Sequence, residues 1–194
     1  MAGEREIVYC EDARAWERWL EEHGGSSPGV RLAIAKKGAG VASVSYSDAV
    51  DVALCFGWID GQKGRLDERY YVQLFTPRRP GSIWSQVNRE RVRRLTDAGR
   101  MRTAGRAAVE QAQANGRWEA AYAPQGSASV PDDLAAALAA TPGAAEQFAG
   151  LDSVNRYAIL FRIGNVKRPE TRARKIAEYV AMLARGETIY PRKP

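Results

Sequence analysis

The apolar period of this chain changes once along its length, and that change limits the folds open to it. Strand-like spacing is confined to the first part. Val30, Leu32 and Ile34 alternate with their neighbours and predict a short strand over Val30–Ala35. Residues 58–76 combine aromatic and β-branched content with two turn signals, Asp60-Gly61 and Lys63-Gly64, and predict a strand pair. Within it Tyr70, Val72 and Leu74 share one side, and Tyr71, Gln73 and Phe75 the other. From Pro131 onward every segment has helical spacing. The expectation is an α+β fold. A small antiparallel sheet with helices would occupy residues 1–116, with a helical module packed on it over 117–194.

The helices of the first part follow from stripes and stops. Trp16, Trp19, Leu20 and His23 fall on one face of a helix over 12–22, which Gly24-Gly25 ends. Ser45 and Asp48 form a capping-box pattern. It opens a helix with the stripe Tyr46, Val50, Ala53 and Leu54, stopped at Gly57. A helix from Ser82 or Ile83 to about Ala98 would carry Trp84, Val87, Arg91, Arg94 and Leu95 on one flank. Thr103 caps the next, to about Ala114. In the second part Pro131 and Pro142 sit at first helical positions of two short helices, 131–140 and 142–149. Asp152 or Ser153 caps a helix to about Gly164, with Val154, Tyr157, Ala158 and Phe161 inward. The last helix starts at Pro169, has the stripe Ile176, Tyr179, Val180 and Leu183, and ends at Gly186.

Composition narrows the function classes. No apolar run approaches the roughly 20 residues of a membrane span, and the charged N-terminus lacks a secretory h-region. Cytoplasmic residence is the resulting expectation. Two cysteines, Cys10 and Cys55, make no disulfide scaffold, and one histidine leaves no structural zinc set. No cofactor or metal is implied. Charge is polarised: residues 78–106 hold nine arginines against Glu90 and Asp97, a local +7 in a chain of net +6. Residues 162–175 hold six cations against Glu170, a local +5. Such patches suit anions, acidic partners or nucleic acid.

The densest segment runs from Ala53 to Asn88. Pro77-Arg78-Arg79-Pro80 would hold two guanidiniums on a stiff corner before a helix N-terminus, with Trp84 and Asn88 just beyond. Trp58 and Asp60 read as a pocket floor or as a core indole and a turn carboxylate. Asp67 reads as a ligand contact or as a charged hairpin edge, and Tyr71 lines the same strand. Arg78 and Arg79 either touch a ligand or pair inside the fold with Asp60, Asp67 and Glu68. The arginines at 89, 91, 93 and 94 surround one helix and offer an alternative nucleic-acid face. Cys55 lies in an apolar stripe and His23 at a helix end, so no nucleophile–base pair is legible. The expectation is a non-catalytic protein.

Five motifs carry a family resemblance: ALCFGWIDGQ (53–62), FTPRRPGSIWSQVNRERVRRL (75–95), GRMRTAG (99–105), NRYAILFRI (155–163) and KRPETRARKIAEYVAMLARGE (167–187). Together they resemble the YdeI/OmpD-associated family, also labelled bacteriocin-protection proteins, over nearly the whole chain. The resemblance implies a bacterial protein with a helical OmpD-associated module at its C-terminal end. It also implies an N-terminal α+β part similar to small frataxin-like domains. Arg31 departs from the family, which tends to carry Trp there. The functional expectation is a cytoplasmic binding or protection protein, resistance- or stress-associated. It would hold a small planar or anionic ligand in a cleft of Trp58, Asp60, Asp67, Tyr71, Arg78, Arg79, Trp84 and Asn88. The alternative is nucleic-acid binding through the Arg-rich helix 83–98. Either a small molecule or nucleic acid is the partner these residues suit.

Overall fold

The structure is a computed structural model that describes residues 5–191. The chain forms two compact units that divide between Ala121 and Tyr122. Among the described residues no helix is long and apolar enough to cross a membrane.

The first unit is built on a four-stranded sheet in the order β1-β2-β4-β3. Its strands are β1 (Ile7–Tyr9), β2 (Val30–Ala35), β3 (Trp58–Arg65) and β4 (Tyr70–Pro77). The predicted antiparallel arrangement holds for β2, β4 and β3. β1 adds a parallel edge, Val8 opposite Leu32. A run as short as Ile7-Val8-Tyr9 gave no periodic signal, and its partner comes only after a helical crossover.

Four helices belong to this unit: α1 (Ala13–His23), α2 (Tyr46–Cys55), α3 (Gln86–Asp97) and α4 (Thr103–Ala114). Ser45 caps α2 as its capping-box pattern predicts, accepting from the Asp48 amide. Asp12, expected as the first residue of α1, is its cap instead and accepts from the Ala15 amide. Trp16 is the centre of the core. Its indole N–H donates to the Ala49 carbonyl at 3.1 Å, which ties α1 to α2. Its ring stacks on Trp19 and meets the edges of Trp58 and Phe75. The Trp58 indole N–H donates to the Gly24 carbonyl at 3.2 Å, which ties β3 to the end of α1. Trp118 and Ala121 complete the same core.

Three expectations for this unit need correction. Asp60-Gly61 and Lys63-Gly64 are not turns; both lie inside the continuous strand β3, where a bulge shifts the register between Asp60 and Lys63. The hairpin turn comes later, and Asp67 makes it by accepting from the Arg69 and Tyr70 amides. Helix α3 starts at Gln86 rather than at 82 or 83, because Ser82 is held in the preceding loop and Ser85 caps the helix. Its predicted flank residue Val87 is exposed, and Val92 is buried instead. Thr103 is the first residue of α4 and not its cap.

The second unit packs α5 (Asp132–Ala139), α6 (Ala144–Ala149), α7 (Ser153–Gly164) and α8 (Pro169–Ala184) around Leu134, Phe148, Ile159, Ile163, Ile176 and Leu183. Pro131 and Pro142 precede their helices and do not begin them. In α7 the buried face is one step round from the predicted one. Val154 is exposed, while Asn155, Ile159, Leu160 and Ile163 are buried. The sequence made 155 look polar and therefore outward, but its amide has partners inside.

The tightest contact in the first unit is between the end of α2 and the start of α4. Gly57 there has φ +74°. A Cβ on Gly105 would lie 2.2 Å from the Cys55 carbonyl oxygen and 2.8 Å from that of Leu54. Both are backbone atoms, so no side-chain rotation relieves the clash. Gly105→Ala is expected to destabilise the first unit by about 2–3 kcal/mol in urea unfolding. Gly164→Ala, where a Cβ meets open space, is expected to leave the second unit unchanged or about 0.5 kcal/mol more stable.

Candidate functional site

The corner after β4 is fastened by its own groups. The Arg78 amide donates to the Gly57 carbonyl at 2.9 Å. Its guanidinium lies 3.5 Å from the Trp84 ring centroid and donates to the Ile83 carbonyl. Arg78 therefore turns inward and closes the loop on itself. Ser82 accepts from the Arg79 amide, and Asn115 donates to the Pro80 carbonyl at 2.8 Å. Trp84 is buried with its ring against Trp118. Ser85 takes the Asn88 amide in the cap of α3. Arg79, Pro80 and Gly81 are the exposed residues of this corner. Both indoles of the predicted cleft, Trp58 and Trp84, are buried in edge contact with other aromatic rings.

The arginine helix is engaged on its inner side. Asp51 is 6% exposed on α2, among residues buried from Ala49 to Cys55. One of its oxygens accepts from Arg91 at 2.6 Å and the other from Arg94 at 2.5 Å. Arg91 also reaches the Ser47 carbonyl and hydroxyl. Arg93 pairs with Glu90 at 3.3 Å. Arg89 pairs with Glu119 and lies over Trp118. Asp51 was not among the sequence candidates. The signal was there, since it is the one charge in the apolar run from Ala49 to Cys55.

A polar cluster lies at the β3 edge. The bulge and register put Asp60, Lys63 and Tyr71 on the helix-covered face of the sheet. The Tyr46 hydroxyl, from the first residue of α2, donates to Asp60 at 2.7 Å. Burial, and then this bond, push the Tyr46 phenol well above its usual pKa, so it stays a donor. Arg91 and Tyr71 act on the same phenol electrostatically. The Lys63 ammonium sits 3.9 Å from the Tyr71 ring centroid. Gln73, 4% exposed, donates to the Gly61 carbonyl at 2.7 Å and fixes the bulge from beneath. The structure thus brings together Asp60 and Tyr71 of the predicted set. It leaves Asp67 at the hairpin turn, exposed. Tyr46 and Lys63 were missed, although Lys63 stands out between Gly61 and Gly64.

Burial raises both thiols, Cys10 to about 11 and Cys55 in the same direction. His23 stacks on Trp19, and its Nδ1 hydrogen-bonds to the Trp19 carbonyl at the end of α1. Among the described residues no group of three or more His, Cys, Asp or Glu could hold a metal ion.

Two outcomes follow from these geometries. Asp51→Asn removes the charge that binds two guanidiniums and is expected to lower stability by about 2–3 kcal/mol, measured by urea denaturation. Because the thiolate is the reactive form, the folded protein at pH 8 is expected to react slowly with a disulfide reagent at both cysteines. Unfolding in guanidinium should release both thiols to rapid reaction.

Two family models match the chain. Residues 8–108 match the family described as Domain of unknown function (DUF8412). Residues 127–186 match the family described as Bacteriocin-protection, YdeI or OmpD-Associated, which bears out the resemblance read from the C-terminal motifs. The N-terminal motifs fall in the first match. No curated protein and no solved structure matches the chain. The chain therefore belongs to the DUF8412 family, and its residues 127–186 are similar to the family described as Bacteriocin-protection, YdeI or OmpD-Associated.

Proposed function

We propose that this is a cytoplasmic, non-catalytic protection protein that binds a small planar ligand bearing an anionic group. The N-terminal unit receives the ligand at the exposed cluster of Tyr46, Asp60, Lys63 and Tyr71. The observation that carries this reading is the Lys63 ammonium placed on the Tyr71 ring beside the Tyr46–Asp60 hydrogen bond. An ammonium on a flexible stem can leave the ring for a carboxylate or phosphate. The ring then offers its face to a flat group. Asp60 orients the Tyr46 hydroxyl, and Gln73 keeps the bulged edge in place. The match to bacteriocin-protection proteins supports a protective rather than a metabolic role for such binding. The arginines of α3 support nucleic-acid binding less well, because Arg91 and Arg94 would have to leave Asp51 to reach phosphates.

The test is calorimetric titration with a panel of aromatic carboxylates and with single-stranded DNA, at low and high salt. The expected result is saturable, weakly salt-dependent binding of a carboxylate. Lys63→Gln should weaken it about tenfold, as loss of one charge-assisted contact would. Affinity for DNA alone, falling steeply with salt, would replace this reading with the nucleic-acid one. Carboxylate binding equal in wild type and Lys63→Gln would remove the Lys63 cluster from it.

A further inference from the structure

The second unit carries a polar corner of its own, made by α7, α8 and the segment after α8. Gly186, with φ +74°, ends α8 and turns the chain. Ile189 then packs on the core of this unit. The backbone of Tyr190 is clamped at two points by Asn155. Its amide donates to Asn155 Oδ1 at 2.8 Å, and its carbonyl accepts from Asn155 Nδ2 at 3.2 Å. Asn155 is 1% exposed, and its amide is oriented in turn by Asp152. A buried amide costs stability unless its hydrogen bonds are made. Here they are made, and their effect is to fix one residue. Tyr190, so fixed, has a side chain that is 44% exposed.

The hydroxyl of Tyr190 accepts from Arg162 at 3.2 Å. Tyr179 acts on the same guanidinium and, with Tyr190, raises its pKa, Tyr179 most. A guanidinium has donors only. The Tyr190 oxygen therefore serves as acceptor toward Arg162 and keeps its own proton to donate elsewhere. Lys175, one turn before Tyr179 on α8, holds its ammonium 5.9 Å from that ring. Two phenols, a guanidinium and an ammonium thus lie along one corner, and Arg162 is bonded to a phenol where a scaffold ion pair would use a carboxylate. In the same unit Arg172 does pair with a carboxylate, Asp133, at 2.6 Å, and Arg174 with Glu178 at 2.7 Å.

We propose that Arg162, Lys175, Tyr179 and Tyr190 form an anion site for a small phosphate-bearing ligand, preorganised by Asn155. Four donors from two helices and the following segment surround a tetrahedral oxyanion better than they match the flat two-oxygen edge of a carboxylate. This site lies wholly within the second unit and does not depend on the Tyr46–Lys63 cluster of the first.

The experiment is titration of the full-length protein with inorganic phosphate, followed by phosphorus NMR line broadening and by thermal shift. Chloride is adjusted to hold ionic strength constant, and acetate serves as the comparison anion. The expected result is saturable phosphate binding with weaker acetate binding. Arg162→Gln should weaken phosphate by about tenfold. Tyr190→Phe, which keeps the ring and removes one hydroxyl, should weaken it severalfold. Arg174→Gln should leave it unchanged. If Tyr190→Phe lowers the melting temperature but leaves phosphate affinity as in wild type, the corner is only an anchor for the chain and the proposal fails. It fails equally if phosphate broadening is the same in Arg162→Gln as in Arg174→Gln. Acetate binding equal to phosphate would overturn the ligand class.

Discussion

Asp51 sits in a helix that is buried from Ala49 to Cys55, so it is the position where a charge is hardest to keep. Helix α2 is enclosed by α1, β3, α3 and α4. A carboxylate in such a place needs partners, because desolvation of an unpaired charge costs several kcal/mol. Arg91 and Arg94 supply them from one face of α3, one to each oxygen. The arrangement sets the rotation of α3 about its own axis. It also explains why this helix is rich in arginine yet presents less free charge than its sequence suggests. The local +7 between 78 and 106 is in part internal scaffolding. Arg78 is used on Trp84 and a loop carbonyl, and Arg91 and Arg94 on Asp51.

The aromatic residues are divided in a similar way. Trp16, Trp58 and Trp84 are buried, and the indole N–H groups of the first two each join separate elements. An indole can do this because its large apolar area enters the core while its one donor finds a carbonyl. Trp19 packs beside them and lends its outer face to His23. The phenols are used differently. Tyr46, Tyr71 and Tyr190 stay partly in solvent and hold charged groups. Recognition chemistry on this protein is therefore more readily built from tyrosines than from the tryptophans that dominate its sequence motifs.

Local signals were legible and distant ones were not. Ser45 and Asp152 cap the helices they announce, and β2 has the bounds that its alternation gives. These features depend on residues within one turn or one strand. The β3 bulge was misread because Asp-Gly and Lys-Gly are turn dipeptides in isolation. Their actual conformation depends on Gln73 reaching Gly61 from the neighbouring strand. The inner face of α7 was misread because Asn155 is polar, and the partner that lets it be buried is Tyr190, far along the chain. The polar cluster at the β3 edge fails to show in sequence for the same reason: Tyr46, Asp60 and Tyr71 come from three elements.

Among the described residues three polar side chains are buried: Asp51, Gln73 and Asn155. Each could be replaced by an apolar residue only if the groups it satisfies found other partners. What each holds is therefore informative. Asp51 holds the arginines of α3, a packing role between two helices. Gln73 and Asn155 hold backbone instead. Gln73 fixes the bulged edge between Asp60 and Lys63, and Asn155 fixes Tyr190 beside Arg162. A buried amide that grips backbone beneath an exposed cation and a phenol does little for the core itself. Its consequence is to narrow the positions of the side chains above it, which is the preorganisation that binding requires. The two family matches fall on the two units separately, 8–108 and 127–186. Each unit has its own core and its own amide-supported polar corner.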